Sequence, residues 1–80
     1  ALAKEVGPSG ITVNCIAPGL IDTAMNQNLP IDAVAEMLDS TPLGRMGTTN
    51  DVANAALYLT SDDASFITGQ VLGVNGGFVI

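Results

Sequence analysis

The pattern of apolar and polar positions predicts a strand early in the chain. Residues 11–17 are rich in β-branched residues and nearly apolar on both alternating faces, which is typical of a strand covered on both sides in a parallel sheet. Pro18 and Gly19 end this run, because proline cannot donate to a sheet ladder and glycine frees the backbone. A loop is therefore expected at the carboxyl end of the first strand.

Two later segments repeat apolar residues at the i, i+3, i+4, i+7 spacing of an amphipathic helix. The first begins after Pro30 and stops near residues 40–42, and the second begins after Thr48. Asp51 stands three residues beyond Thr48, which is the arrangement of a capping box at a helix start. The apolar positions are Ile31, Val34, Ala35 and Leu38 in the first helix, and Val52, Ala55, Ala56 and Leu59 in the second.

The two ends of the chain carry shorter signals. Residues 1–7 have the character of the last turns of a helix that ends at Gly7 and Pro8. Residues 69–74 form a short apolar strand pattern, which Asn75 and two glycines follow. Asn-Gly is a hairpin signal, so an antiparallel pair remains an alternative to the favoured final strand with a wrapped tail.

Strand, loop, helix, helix and strand in this order predict a right-handed βαβ crossover with both strands in one parallel sheet. Two short helices cannot cover strands that are apolar on both faces. We therefore expect an α/β fold whose sheet continues in other residues or in a partner chain. In open α/β sheets ligands bind beyond the carboxyl ends of the strands, where the loop at Pro18 and Gly19 lies.

Composition and charge narrow the classes of function. Of the 80 residues 48% are hydrophobic, which favours a packed interior over disorder. Eight acidic residues accompany two basic ones, so the chain has no basic stripe for nucleic acid and no attraction to anionic membranes. No apolar run reaches the roughly 20 residues of a spanning helix. We expect a soluble protein without nucleic-acid or membrane partners.

Candidate nucleophiles and metal ligands are few. The chain has no histidine, which removes Ser-His-Asp and Cys-His catalysis and leaves no set of zinc ligands, so we predict no metal site. Its single cysteine, Cys15, cannot form an intrachain disulfide, and a reducing cytoplasm is the expected location. We interpret Cys15 as a small buried hydrophobic residue, since nothing basic stands beside it to activate the thiol.

The loop after the first strand offers backbone amides and the Thr23 hydroxyl, which suit an amide or phosphate oxygen but indicate no particular ligand alone. Three separated motifs follow one another in the chain: GITVNCIAPGLIDTAM, PLGRMG leading into DVANAALYLTSDDASFITGQ, and VNGG. In order and spacing they resemble the carboxyl-terminal third of the short-chain dehydrogenases/reductases, most closely the bacterial 3-oxoacyl-[acyl-carrier-protein] reductases.

This resemblance implies a Rossmann-type doubly wound parallel sheet, of which residues 1–80 are the carboxyl-terminal part of a single NAD(P)-binding domain. It implies that the nicotinamide end of NADP or NAD, with NADP favoured, lies against Pro18, Gly19, Ile21 and Thr23. Ile21 would hold the carboxamide through its backbone, and Thr23 would contact the carboxamide or the pyrophosphate through its hydroxyl. Residues 25–42 would form a flap over the substrate.

The resemblance also implies structural roles for residues outside the cofactor loop. Asn14 is expected to brace a loop, and Arg45 to anchor its loop to backbone carbonyls or a carboxylate. The apolar stripe of the helix that begins at Ile31 is expected to face the core of a parent domain, with the acyl chain as the alternative. Residues 71–80 would form a subunit contact of a homo-oligomer, a tetramer in the family.

The departures from the family concern catalysis. Its Tyr-x-x-x-Lys motif and its glycine-rich turn are missing, since Asp62 stands four residues after Tyr58 and no tyrosine precedes Lys4 at the required spacing. We therefore assign no catalytic residue and expect the 80 residues alone to be inactive.

The expected parent is an NAD(P)H-dependent reductase that transfers a hydride to a 3-oxoacyl thioester, carried on acyl carrier protein, in fatty acid biosynthesis. Another alcohol or sugar dehydrogenase of the same family remains an alternative. So does a non-catalytic, truncated module that oligomerises.

Overall fold

The computed structural model of the chain describes residues 1–24 and 27–78. These residues form three helices and two strands, and short 3₁₀ turns follow the first and third helices at Gly7–Ser9 and Asp62–Ala64. The order confirms the α/β class. None of the described helices has the length and apolarity to cross a membrane. The elements are α1 (Leu2–Val6), β1 (Cys15–Pro18), α2 (Ile31–Asp39), α3 (Thr49–Leu59) and β2 (Val71–Val74).

The two strands pair in parallel. Cys15 lies beside Val71, and Pro18 beside Val74, in the two-stranded sheet that the described residues form. This pairing confirms the predicted crossover, because parallel strands require a long connection between them. Among the described residues no strand pairs antiparallel with β2, and residues 75–78, which follow it, are not in a strand.

The chain turns back after β2. Gly76 and Gly77 have φ angles of 60° and 89°, a region that glycine enters without steric cost. The Leu43 N–H donates to the Gly76 carbonyl at 3.0 Å. The chain after β2 therefore wraps onto the loop that follows α2, as predicted, and residues 79–80 of the tail lie outside the described residues.

The first strand begins at Cys15 rather than at residue 11. Just before it, the Val13 N–H donates to the Thr68 hydroxyl at 2.9 Å. The Asn14 side chain donates to a carbonyl at 3.2 Å and accepts from an N–H at 3.0 Å, both in residues 67–70. Side chains thus replace the sheet ladder over these residues, and Asn14 braces the loop as expected.

Pro18 is the last residue of β1, one residue beyond the predicted strand. The N–H groups of Cys15 and Gly19 donate toward β2 at 2.8 Å and 3.0 Å. Donors to one neighbour alternate along a parallel strand, so the nitrogen of Pro18 lies on the edge away from β2. The missing proline donor therefore removes no hydrogen bond from this sheet.

The prediction that Cys15 is buried is wrong. Among the described helices only α3 packs on the sheet, and Ile16 of β1 lines a cavity together with Ala56 and Leu59 of α3. Side chains alternate along a strand, so Cys15 lies on the opposite face, and it is exposed. Burial of both faces would need elements beyond those described.

The second helix forms where the spacing predicts it. It has no buried residue, and Ile31 at its start is 86% exposed. Its last turn is closed by the buried Thr41 hydroxyl, which donates to the Met37 carbonyl at 2.8 Å. Packing of its stripe on a parent domain stays a prediction, and residues 25–26 of the expected flap lie outside the described residues.

Gly19 lies where the carboxyl ends of the two strands converge. A β-carbon at Gly19 would stand 2.8 Å from both the Cα and the Cβ of Asn75, which follows β2. Part of this contact is backbone, so the neighbour cannot move aside by a rotamer change. A side chain at this position would push the two strand ends apart.

We therefore expect Gly19→Ala to destabilise the protein by about 1–3 kcal/mol, the usual cost of overpacking. Gly7→Ala is the matched control, because a β-carbon at Gly7 would meet nothing within 4 Å. Urea unfolding followed by circular dichroism measures both variants. Equal stabilities would contradict the close approach of Gly19 to Asn75.

Candidate functional site

The four residues predicted to contact a cofactor lie in one continuous loop at the carboxyl edge of the sheet. Pro18 ends β1 and is exposed, and Gly19 is half-buried against Asn75. Ile21 is only 7% exposed, whereas Thr23 is half-buried. The buried middle of the loop anchors it, and its two ends reach the surface.

Ile21 is held in an isolated parallel bridge with Gly47. The Gly47 N–H donates to the Leu20 carbonyl at 2.8 Å, and the Gly47 carbonyl accepts from the Asp22 N–H at 2.9 Å. These bonds fix the peptide groups on either side of Ile21 and hold that residue extended. A β-carbon at Gly47 would lie 2.6 Å from Ile21 Cδ1, so a side chain at this position would require the Ile21 side chain to move.

The start of α3 fixes the segment that follows Gly47. The Thr48 hydroxyl accepts from the Asp51 N–H at 3.1 Å, and Asp51 Oδ2 accepts from the Thr48 N–H at 2.8 Å. This reciprocal pair is the predicted capping box, and the structure confirms it. The backbone that bridges Ile21 therefore enters directly into a well-capped helix.

Arg45 joins the same network from the other side of Gly47. Its Nη1 donates to Asp51 Oδ2 at 3.0 Å and to the Met46 carbonyl at 2.9 Å. Both kinds of partner expected for Arg45, a carboxylate and a backbone carbonyl, are thus present. The hydrogen bond from Arg45, and then those from Thr48, lower the pKa of Asp51 from 3.8 to about 2, and Asp51 in turn raises the pKa of Arg45.

A cavity of about 520 Å³ opens between the loop after β1, the loop after α2 and the turn after β2. Of the four predicted cofactor residues Ile21 lines it, whereas Pro18, Gly19 and Thr23 do not, and Leu20 of the same loop lines it as well. The cavity brings the Arg45–Asp51 pair to the same place as the bridge at Ile21. Its lining residues are Leu20, Ile21, Pro42, Leu43, Arg45, Gly47, Asp51, Gly73, Val74, Asn75, Gly76 and Gly77.

The structure does not bring the tyrosine and a lysine together. Tyr58 lies on α3 and Lys4 on α1, and these two described helices do not pack on each other. Sequence reasoning missed Gly47 and Asn75, the two residues that shape the loop from outside it. The sequence signal that could have identified Gly47 is its position at the end of the PLGRMG motif. Asn75 was assigned only to a turn.

A short-chain dehydrogenase profile, described as enoyl-(acyl carrier protein) reductase, matches residues 1–79. The chain belongs to the short-chain dehydrogenase/reductase family. It is 56% identical over 77 residues to the 3-oxoacyl-[acyl-carrier-protein] reductase FabG of Chlamydia trachomatis, covering 96% of this chain and 31% of that protein. The FabG of Escherichia coli is 49% identical, over 96% of this chain and 32% of its own length.

Two further members of the family show the range of the similarity. A (2S)-[(R)-hydroxy(phenyl)methyl]succinyl-CoA dehydrogenase subunit, BbsD of Thauera aromatica, is 52% identical over 96% of this chain and 31% of its own length. The crystal structure of a 3-oxoacyl-[acyl-carrier protein] reductase from Brucella melitensis superposes with a TM-score of 0.94 at 44% identity, covering 99% of this chain and 30% of that one. The chain spans about a third of the length of the curated relatives it matches.

The titration of Asp51 gives a pH prediction. Its pKa is depressed on folding, so the stability it contributes is complete above about pH 4 and is lost as the pH falls toward about 2. In urea unfolding across this range, the difference between wild type and Asp51→Asn should shrink as the pH falls. Asp63→Asn is the matched control, because Asp63 is exposed on the 3₁₀ turn after α3, and its free energy of unfolding should equal that of wild type. A difference that stays constant with pH would contradict the assignment.

Proposed function

We propose that residues 1–80 are the carboxyl-terminal part of the single NAD(P)-binding domain of a reductase, which transfers a hydride from NAD(P)H to a 3-oxoacyl thioester in fatty acid biosynthesis. The observation that carries this proposal is the loop 18–23, fixed at the carboxyl edge of a parallel sheet in a chain 56% identical to a protein named for that reaction. We assign the activity to the full-length protein that contains these residues.

The loop fits the nicotinamide end of NADP or NAD. Gly47 holds Ile21 in an extended conformation. In this conformation the backbone N–H and C=O of a residue point to the same side, where they can pair with the acceptor and the donor of a carboxamide. Thr23, half-buried two residues further on, would contact the carboxamide or the pyrophosphate through its hydroxyl. Pro18 and Gly19 would shape the turn. The cofactor, when bound, supplies the hydride, and the chain supplies its position.

The proposed substrate is an acyl thioester on acyl carrier protein, covered by the flap of residues 25–42. The outward position of α2 supports this role, since Ile31 is 86% exposed and the loop after the helix is joined to the turn after β2 by the Leu43 N–H, which donates to the Gly76 carbonyl. An apolar stripe held in this way can cover an acyl chain or pack on the rest of the domain.

Two observations keep other functions open. The 52% identity to a succinyl-CoA dehydrogenase subunit supports a different dehydrogenase of the same family, one that acts on another thioester or alcohol. Exposed apolar residues on β2, Val71 at 72% and Leu72 at 38%, support a homo-oligomer that pairs through residues 71–80. A module that only oligomerises would use the same surface without catalysis.

The full-length protein should oxidise NADPH or NADH when acetoacetyl thioester is added, and the isolated 80 residues should not. Thr23→Val should weaken binding of the reduced cofactor roughly fivefold, the usual effect of losing one hydrogen bond. Loss of reduced-nicotinamide absorbance measures turnover, and calorimetry measures binding.

Thr60→Val serves as the matched control, since Thr60 is exposed at the end of α3 opposite to the one that follows Gly47. Turnover by the isolated 80 residues would contradict the claim that the catalytic groups lie elsewhere. A full-length protein inactive with 3-oxoacyl thioesters but active on another alcohol would favour the alternative dehydrogenase.

A further inference from the structure

The residues before and after Gly47 each form a hydrogen bond through their backbone to one member of the Arg45–Asp51 ion pair. The carbonyl of the preceding residue accepts from Arg45 Nη1 at 2.9 Å, and the N–H of the following residue donates to Asp51 Oδ2 at 2.8 Å. Arg45 and Asp51 are themselves joined at 3.0 Å. The pair therefore holds the two peptide units that border the residue bridged to Ile21.

We propose that Asp51, together with Arg45, is a positioning residue for the nicotinamide-binding loop, acting on Ile21 through the backbone of Gly47. This inference rests on the proposed function, because it concerns the same loop. It gives the Arg45–Asp51 pair a role in binding as well as in helix capping.

The geometry of the pair favours positioning over bulk stability. The side chains are 58% and 34% exposed, and exposed ion pairs contribute little to the free energy of folding. Both hydrogen bonds of Arg45 come from the single nitrogen Nη1, and both side-chain partners of Asp51 meet at the single oxygen Oδ2. One nitrogen and one oxygen thus lock a short stretch of backbone around Gly47.

Locking this stretch has a consequence at Ile21. The Gly47 N–H donates the 2.8 Å hydrogen bond on one side of Ile21, and the Gly47 carbonyl accepts the 2.9 Å hydrogen bond on the other side. A more mobile Gly47 would therefore make the loop at Ile21 more mobile. A loop that is ordered before the ligand arrives loses less entropy on binding. The effect should be confined to the nicotinamide half of the cofactor, because the adenosine half would be bound by residues outside this chain.

The test compares ligands with and without nicotinamide on the full-length protein. Asp51→Asn should bind NADPH or NADH roughly five- to tenfold more weakly than wild type, and ADP-ribose or its 2′-phosphate within about twofold of wild type. The amide oxygen of the substituted side chain can still accept from the Thr48 N–H, so the helix start is retained while the charge that holds Arg45 is lost. Calorimetry is carried out well below the unfolding temperature of every variant.

Two matched variants sharpen the comparison. Arg45→Gln should resemble Asp51→Asn, whereas Arg45→Lys should recover much of the affinity, since an ammonium can also serve both acceptors from one nitrogen. The carboxylate control is Asp63→Asn, which should bind both ligands as wild type does, because Asp63 is exposed on the 3₁₀ turn after α3.

The outcomes separate this inference from the proposed function. Equal weakening of both ligands in Asp51→Asn, or unchanged binding of NADPH and NADH, would overturn the positioning role while leaving the proposed function in place. A wild-type protein that binds neither NADPH nor NADH would overturn the proposed function, and the positioning role with it.

Discussion

Parallel pairing of β1 with β2 brings their carboxyl ends to one edge of the sheet, where Gly19 approaches Asn75 so closely that a β-carbon would lie 2.8 Å from its Cα. The loop that leaves this contact runs extended at Ile21 because Gly47 bridges it. Gly47 in turn precedes a helix whose first turn is closed by Asp51. The loop is therefore placed by contacts at both of its sides, with Asn75 at Gly19 and with Gly47 at Ile21.

Local chemistry made the helices predictable. The i, i+3, i+4, i+7 spacing and the Thr48–Asp51 capping box act within a few residues, and α2 and α3 form where these signals stand. Strand pairing is a long-range event, so the Asn-Gly sequence after β2 left open a hairpin that the described residues do not form. The start of β1 was missed because Asn14 and Thr68 bond to the backbone with their side chains in place of a ladder.

For the candidate site, too, the sequence predicted some features and missed others. Position at the carboxyl end of a parallel strand follows from the pattern, and the individual residues of the loop came from resemblance to a family that the comparisons confirm. Gly47 and Asn75 were missed because they meet the loop from distant parts of the chain. The burial of Cys15 was predicted wrongly, since the pattern shows that a residue is apolar and not which element covers its face.

The crystal structure of the full-length protein with NADPH or NADH bound tests most directly the claim that the loop 18–23 holds the nicotinamide. The account predicts the carboxamide within hydrogen-bonding distance, about 3 Å, of the Ile21 backbone. The bridge between Ile21 and Gly47 should remain in place. A nicotinamide ring seated away from this loop, or an Ile21 separated from Gly47 when the cofactor binds, would contradict it.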